Sequence, residues 1–181
     1  MIFVNTVKNH KEHKKTLLNL IDNFEQLHEE STKDYDMIHS TDFDISQDEE
    51  RDYLDYFHIH ILDDVIESVS KQLGLAPCEW DVLMAWFQRY NQSNVHTWHN
   101  HAYTQFTNCY FLEMPDASHK TEILDMNGNI LEYDAKEGDI ITFPAWMKHR
   151  SKPHEGEQKT VIAFNLDFSF PWEESNLGFF D

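Results

Sequence analysis

Apolar residues in the first third of the chain recur with the period of a helix. Between Leu17 and Leu27 they lie three or four positions apart, which places them on one face of a helix. The following stretch, 31–46, is polar and irregular, so we expect a loop there.

A second helix is predicted after this loop. Ser46 followed three residues later by Glu49 is the pattern of a capping box, so the helix is expected to begin there. Gly74 and Pro77 predict its end. Its apolar face consists of Leu54, Phe57, Ile61, Leu62, Val65, Ile66, Val69 and Leu73.

The pattern changes after Pro77 to short runs that are rich in β-branched and aromatic residues and separated by turn residues. The predicted strands are 79–90, 95–101, 104–114, 121–126, 130–134, 138–143, 147–151 and 159–168. The Asn127-Gly128 pair predicts a tight hairpin. Helices followed by many short strands indicate an α+β fold with a sandwich or barrel, and we expect a jelly roll whose sheet is buttressed by the N-terminal helices.

Length and composition narrow the possible classes of protein. We expect a single domain over 1–181, with a mainly helical support over 1–76 and a jelly-roll core over 77–181. A formal net charge of −19 disfavours nucleic acid as a partner, because the phosphate backbone is repelled. We find neither an apolar run of membrane-spanning length nor a secretory signal, and two cysteines are too few for a disulfide framework. The sequence therefore predicts a cytoplasmic protein without a membrane partner.

Candidate chemistry is concentrated in histidines. His99 and His101 are two residues apart before a predicted strand, so in an extended segment they face the same way. His149 follows an apolar strand and a turn at Pro144, and it is a candidate third ligand. Imidazole suits iron, zinc, copper and nickel. Lys159, ten residues later, begins an apolar strand, where a buried cation needs an anionic partner such as a bound dicarboxylate.

These residues resemble a motif of the Fe(II)/2-oxoglutarate-dependent oxygenases of the prolyl-hydroxylase-like type. The resemblance covers about 86–168, roughly half of the chain, through the stretches "WFQRYNQSNVHTWHNHAYTQFTNCYFL" and "EGDIITFPAWMKHRSKPHEGEQKTVIAFNLDF". It implies a double-stranded β-helix, Fe(II), 2-oxoglutarate and O2, and hydroxylation with release of succinate and CO2. His99, His101 and His149 would be the metal ligands, and Lys159 would bind the far carboxylate of 2-oxoglutarate. A peptidyl substrate, prolyl among others, or a small molecule is implied.

Three positions near the motif depart from the family pattern. His101 occupies the place of the usual carboxylate, so three neutral ligands would face the metal. His96 occupies the place of a frequent tyrosine, and it is either a donor to 2-oxoglutarate or a strand histidine. Tyr110 is either a donor to the co-substrate or a packing residue. Tyr90, nine residues before His99, is expected to line the co-substrate pocket.

Two other interpretations stay open at this stage. A cupin-type metalloprotein with three histidines, acting as a dioxygenase or isomerase, fits the histidine pair and "GDIITFPAWMKH". It lacks the expected glycine at Trp146 and an acidic residue after His101, and it leaves Lys159 without a role. A catalytically inactive structural or interaction protein with this fold is the other alternative, and His101 is the residue that keeps it open.

Overall fold

The computed structural model describes residues 1–32, 37–75, 78–153 and 155–169 of the chain. The helices are α1 (His10–Leu27), α2 (Glu29–Thr32), α3 (Asp52–Phe57) and α4 (Asp63–Leu73), with a π-helical turn over His58–Leu62 between the last two. The strands are β1 (Phe3–Thr6), β2 (Ser40–Thr41), β3 (Glu79–Tyr90), β4 (His96–His99), β5 (Phe106–Glu113), β6 (Glu122–Ile123), β7 (Asp139–Pro144), β8 (His149–Ser151) and β9 (Lys159–Ser169).

The strands form two antiparallel sheets of unequal size. The larger sheet has six strands in the order β1-β7-β5-β9-β3-β2, and the smaller has three in the order β4-β8-β6. Strands that are distant in sequence are neighbours, as in the pairing of β3 with β9 along almost their whole length. The described residues therefore form an α+β fold dominated by antiparallel sheets, as predicted.

The large sheet separates two apolar cores, because residues along a strand alternate between its two faces. One core lies between the helices and the large sheet, where Leu17, Ile21 and Phe57 pack against Phe87 and Phe164. The second core lies between the two sheets. Its buried members are Ile38, Tyr90, Cys109, Phe111, Met114, Ile123, Ala135, Ile141, Phe143, Met147 and Val161. The molecule thus has three layers, with the helices on one side and the space between the sheets on the other.

The second helix begins later than predicted. Ser46 instead shapes a turn in which its carbonyl accepts from the amide of Glu49, and α3 starts at Asp52. Gly74 does end α4, in the left-handed conformation at φ 68°, whereas Pro77 lies outside the described residues. None of the helices in the described part of the chain is both long and apolar enough to cross a membrane.

The strand predictions are confirmed for the long strands and wrong for some short ones. Residues 130–134 form no strand; only Ile130 bridges to Leu124, across the turn at Asn127-Gly128. Two short strands were not predicted, namely β1, which pairs with β7, and β2, which pairs with β3. Residues from the N-terminal part therefore belong to the large sheet as well as to the helical layer.

A buried ion pair fixes the loop that precedes α3. The Nε of Arg51 donates to Asp42 at 2.6 Å, and the Tyr53 hydroxyl donates to the same carboxylate at 2.5 Å. Asp42 also accepts from the backbone amide of Phe87 on β3 at 2.9 Å. These bonds hold the neighbouring Phe43 against Trp86, with ring centroids 5.1 Å apart.

Candidate metal centre

Three histidines meet at the edge of the space between the sheets. His99 ends β4 and His149 begins β8, and the two residues are partners across the antiparallel pair. The loop after β4 is held by the His101 amide, which donates to the carbonyl of Ala145 at 2.9 Å. One ring nitrogen from each of His99, His101 and His149 lies within 4.8 Å of the other two. Ligand nitrogens on one ion at ~2.1 Å are roughly 3–3.5 Å apart, so small side-chain rotations complete such a site.

All three rings use Nδ1 for a hydrogen bond to an oxygen. His99 Nδ1 donates to the carbonyl of Thr97 at 2.7 Å, and His149 Nδ1 donates to the carbonyl of Met147 at 3.1 Å. His101 Nδ1 donates to the side-chain oxygen of Asn165 at 2.6 Å. Because the Nδ1 proton is engaged in each ring, each Nε2 keeps its lone pair, which is the form that binds a metal.

Burial favours the neutral form of His101 and His149. Desolvation is the main reason that the pKa of His149 lies well below its usual 6.5, and it also lowers the pKa of His101. His96, which stacks on His99 with ring centroids 3.8 Å apart, has its pKa lowered by burial to about 3. His101 and His149 therefore offer neutral nitrogen donors at physiological pH.

Lys159 lies buried between the sheets beside this cluster. Its Nζ donates to Ser151 at 3.1 Å and lies 5.1 Å from the centre of the Tyr90 ring. Burial lowers the pKa of Lys159 to about 8, and no carboxylate among the described residues pairs with it. A buried ammonium whose oxygen partner is one neutral hydroxyl is costly, and a carboxylate from a bound molecule would offset that cost.

Two cavities meet at the histidines. The inner one, of about 30 Å³, is lined by Lys159, Tyr90, Ser151 and Cys109 as well as by the cluster. The outer one, of about 380 Å³, has largely apolar walls that include Phe43, Met84, Trp86 and Ala102. Residues common to both are Trp86, Gln88, His96, His99 and His101. His99 and His101 thus lie between a small chamber that contains the buried ammonium and a larger, apolar one.

Two buried polar atoms that belong to lining residues of the inner cavity lack a partner. Trp86 Nε1 and Thr107 Oγ1 make no hydrogen bond within the described part of the chain. Buried polar groups are normally satisfied, so both atoms are available to bond to a polar ligand if the cavity widens toward them. The ammonium, which has no carboxylate partner in the described residues, and the three imidazoles fit a metal ion with an anionic ligand.

The structure corrects one predicted site residue and leaves the others beside the cavity. Tyr110 faces the helices, where its hydroxyl donates to Nδ1 of His10 at 2.8 Å, and its ring packs on Phe57. Neighbouring residues on β5 face opposite sides of the sheet, and Cys109 is the one that lines the inner cavity. Tyr110 therefore lies on the wrong side of the sheet to contact a co-substrate. His96 and Tyr90 both line the inner cavity.

The polar residues around the three histidines and Lys159 were not predicted from the sequence. Asn165, Ser151 and Thr107 are ordinary strand residues in the sequence, and their roles depend on neighbours from other strands. One pattern was available, since Asn165 lies six residues after Lys159 and so on the same face of an extended strand.

A larger groove lies elsewhere and lacks this chemistry. It has a volume of about 630 Å³ and runs between β1 and α4. Its two lysines are paired with carboxylates, Lys8 with Asp64 at 3.0 Å and Lys71 with Glu67 at 2.5 Å. This groove, although larger, therefore does not coincide with the candidate metal centre.

Comparison with known proteins points to one group of folds. No family model matches the sequence, and no curated protein matches it. Among solved structures, a prolyl hydroxylase from Trichoplax adhaerens, in complex with a hypoxia inducible factor peptide fragment, matches with a TM-score of 0.66. The match covers 92% of this chain and 83% of that one at 13% identity. The chain has the fold of that hydroxylase.

Two further structures extend the comparison. HygX from Streptomyces hygroscopicus, solved with nickel and 2-oxoglutarate bound, matches with a TM-score of 0.65 at 8% identity over 92% of this chain and 82% of that one. A 2OG-Fe(II) oxygenase family protein from Burkholderia pseudomallei matches with a TM-score of 0.50 at 10% identity over 56% of this chain. This chain spans 50% of that protein's length. The resemblance seen in the sequence is confirmed at the level of the fold.

Proposed function

We propose that this protein is an Fe(II)- and 2-oxoglutarate-dependent oxygenase that hydroxylates a peptidyl or small-molecule substrate. One observation carries the proposal: the three-histidine cluster lies beside a buried lysine that has no carboxylate partner in the described residues. The fold of the matched structures and the double-stranded β-helix expected from the sequence support it.

His99, His101 and His149 would hold Fe(II) through nitrogens that already face one another. Lys159 and Ser151 would bind the far carboxylate of 2-oxoglutarate, which gives the buried ammonium its counter-charge. With 2-oxoglutarate and O2, bound Fe(II) supplies oxidation of a C–H bond with release of succinate and CO2. Three neutral ligands leave the full charge of the ion to attract the dianionic co-substrate.

The inner cavity must widen to admit the co-substrate. Its volume of about 30 Å³ has room for roughly two waters, less than a five-carbon dicarboxylate requires. Gln88 and His96 lie between the two cavities, and Gln88 Nε2 donates to Nδ1 of His96 at 3.3 Å. We expect these two side chains to turn aside when 2-oxoglutarate binds. Tyr90 and Phe111 would then exclude water around Lys159.

The outer cavity is the proposed substrate site. Its apolar walls favour an apolar group, such as an aliphatic or prolyl side chain, next to His99 and His101. A peptide is a candidate because the matched Trichoplax hydroxylase was solved with one. The net charge of −19 favours a substrate with basic flanking groups over an acidic one.

An anaerobic titration with Fe(II) and 2-oxoglutarate tests the proposal. The two together should produce a visible charge-transfer band, and air should then convert 2-oxoglutarate to succinate. Metal binding without any band or succinate would favour the cupin-type alternative with three histidines. A purified protein that takes up no Fe(II) would favour the inactive structural alternative.

A further inference from the structure

We propose that Asn165 is a positioning residue for the metal centre, and that it acts through His101. Its side-chain oxygen accepts the Nδ1 proton of His101 at 2.6 Å. The contact joins β9 to the loop after β4, across 64 residues of sequence. This inference rests on the metal-binding part of the proposed function.

A histidine at this position needs support that a carboxylate does not. Either oxygen of a carboxylate can bind a metal, whereas a neutral imidazole has two tautomers and binds through the nitrogen without the proton. An acceptor at Nδ1 stabilises the tautomer whose Nε2 is free. The replacement of the usual carboxylate by His101 therefore creates a requirement for an oxygen at the place that Asn165 occupies.

The three candidate ligands meet this requirement in two different ways. The Nδ1 protons of His99 and His149 go to backbone carbonyls two residues earlier, Thr97 and Met147, and no substitution removes a carbonyl. The Nδ1 proton of His101 goes to a side chain, so its support can be removed. Asn165 is thus the point at which the site can be perturbed without changing a ligand.

The surroundings of Asn165 show that its side chain is directed toward the cluster. On β9, residues Lys159, Val161 and Ala163 line the inner cavity, and Asn165, on the same face, lines the outer one. Asn165 is opposite Thr107 on β5. The bond also fixes the His101 ring beside Trp86, with ring centroids 5.6 Å apart. Without the Asn165 side chain, neither the tautomer nor the orientation of the His101 ring would be fixed.

Two substitutions separate acceptor chemistry from packing. Asn165→Leu keeps the size and removes the acceptor, and Asn165→Asp keeps an acceptor at the same place. We expect Asn165→Leu to weaken Co(II) or Fe(II) binding about 10- to 100-fold, measured anaerobically by titration, and Asn165→Asp to bind within a few-fold of the wild type. Equal affinity of the wild type and Asn165→Leu would overturn the proposal.

A double-mutant cycle tests whether Asn165 acts through His101. In the His101→Asp background, Asn165→Leu should change metal affinity less than about threefold, because the aspartate has no tautomer to fix. The same loss in both backgrounds would show that Asn165 merely supports the strand, and would refute the positioning role.

A measurement on the metal-free protein tests the role of Asn165 independently of metal binding and of catalytic turnover. Imidazole nitrogen NMR of the metal-free protein should show His101 protonated at Nδ1, and Asn165→Leu should shift it toward the other tautomer. A wild-type His101 protonated at Nε2 would overturn the inference. Metal binding and the expected tautomer without 2-oxoglutarate turnover would instead refute the oxygenase function and leave the role of Asn165 standing.

Discussion

Replacing Lys159 with methionine should separate binding of the co-substrate from stability of the fold. Methionine has a similar length and no charge, so it fills the same buried space. We expect Lys159→Met to bind metal normally, to lose most of its affinity for 2-oxoglutarate, and to be more stable than the wild type when ligand-free.

The loss of affinity follows from the burial of the ammonium. Truncating one partner of a buried, hydrogen-bonded charge pair typically costs about 2–5 kcal/mol. The dissociation constant for 2-oxoglutarate should therefore rise by a factor of roughly 30 to several thousand.

The gain in stability follows from the pKa of Lys159, which burial lowers from 10.5 to about 8. A pKa that is lower in the folded state means that the charged form destabilises folding below pH 8, and that this penalty disappears above pH 10.5. The difference corresponds to about 3 kcal/mol at pH 7. Loss of the hydrogen bond to Ser151 costs about 1 kcal/mol, so a net gain of about 2 kcal/mol is expected.

Urea unfolding of the metal-free proteins at pH 7 measures the stability, and the charge-transfer titration measures the affinity. Lys8→Met is the matched control, because the side chain of Lys8 is 83% exposed and lies outside both cavities. It should change neither quantity appreciably. A destabilised Lys159→Met that binds 2-oxoglutarate like the wild type would show that Lys159 is a structural residue, and the reasoning would fail.

Three other predictions concern the histidines and Tyr110. His101→Asp should still bind Fe(II), because it restores the common triad, and loss of metal in an anaerobic titration would mean that the site is built for a third imidazole. Tyr110→Phe should lower the free energy of unfolding by about 0.5–1.5 kcal/mol, because the hydrogen bond to His10 is lost. The affinity for 2-oxoglutarate should not change; a weaker affinity would mean that Tyr110 does contact the co-substrate. The metal-free protein should lose stability as pH falls below 6.5, because the pKa values of His96, His101 and His149 are lowered by burial and the unfolded chain binds their protons first. Urea unfolding should show up to about 1.4 kcal/mol per pH unit for each imidazole, and a flat profile between pH 6.5 and 5 would contradict the lowered values.

The parts of the site that the sequence predicted rest on local rules. The spacing of two residues predicted that His99 and His101 lie together, and they do, although β4 ends at His99 and His101 belongs to the following loop. The long apolar runs around His149 and Lys159 predicted their strands. The boundaries of β3 and β9 are likewise predicted to within one residue, because long strands carry a strong pattern.

The parts that were missed depend on distant residues. β1 is four residues long and exists because it pairs with β7, more than 130 residues away. Counting alternate residues from His101 does not predict which side of the sheet Tyr110 faces, because the loop 102–105 interrupts the strand between them. Asn165 has no motif of its own, and its role appears only when β9 and the loop after β4 are seen together.

The small sheet has a consequence for the order in which the protein is assembled. Its strands contain four, three and two residues, whereas the large sheet is held by long pairings and by the helical core. The proposed ligands His99 and His149 sit opposite each other on this weaker layer, so an ion between them would clamp strands that few backbone bonds join. We expect the helices and the large sheet to form without metal, because long strand pairings and the helical core hold them. We therefore expect the small sheet to open locally more often than the large one, and a bound ion to reduce that opening.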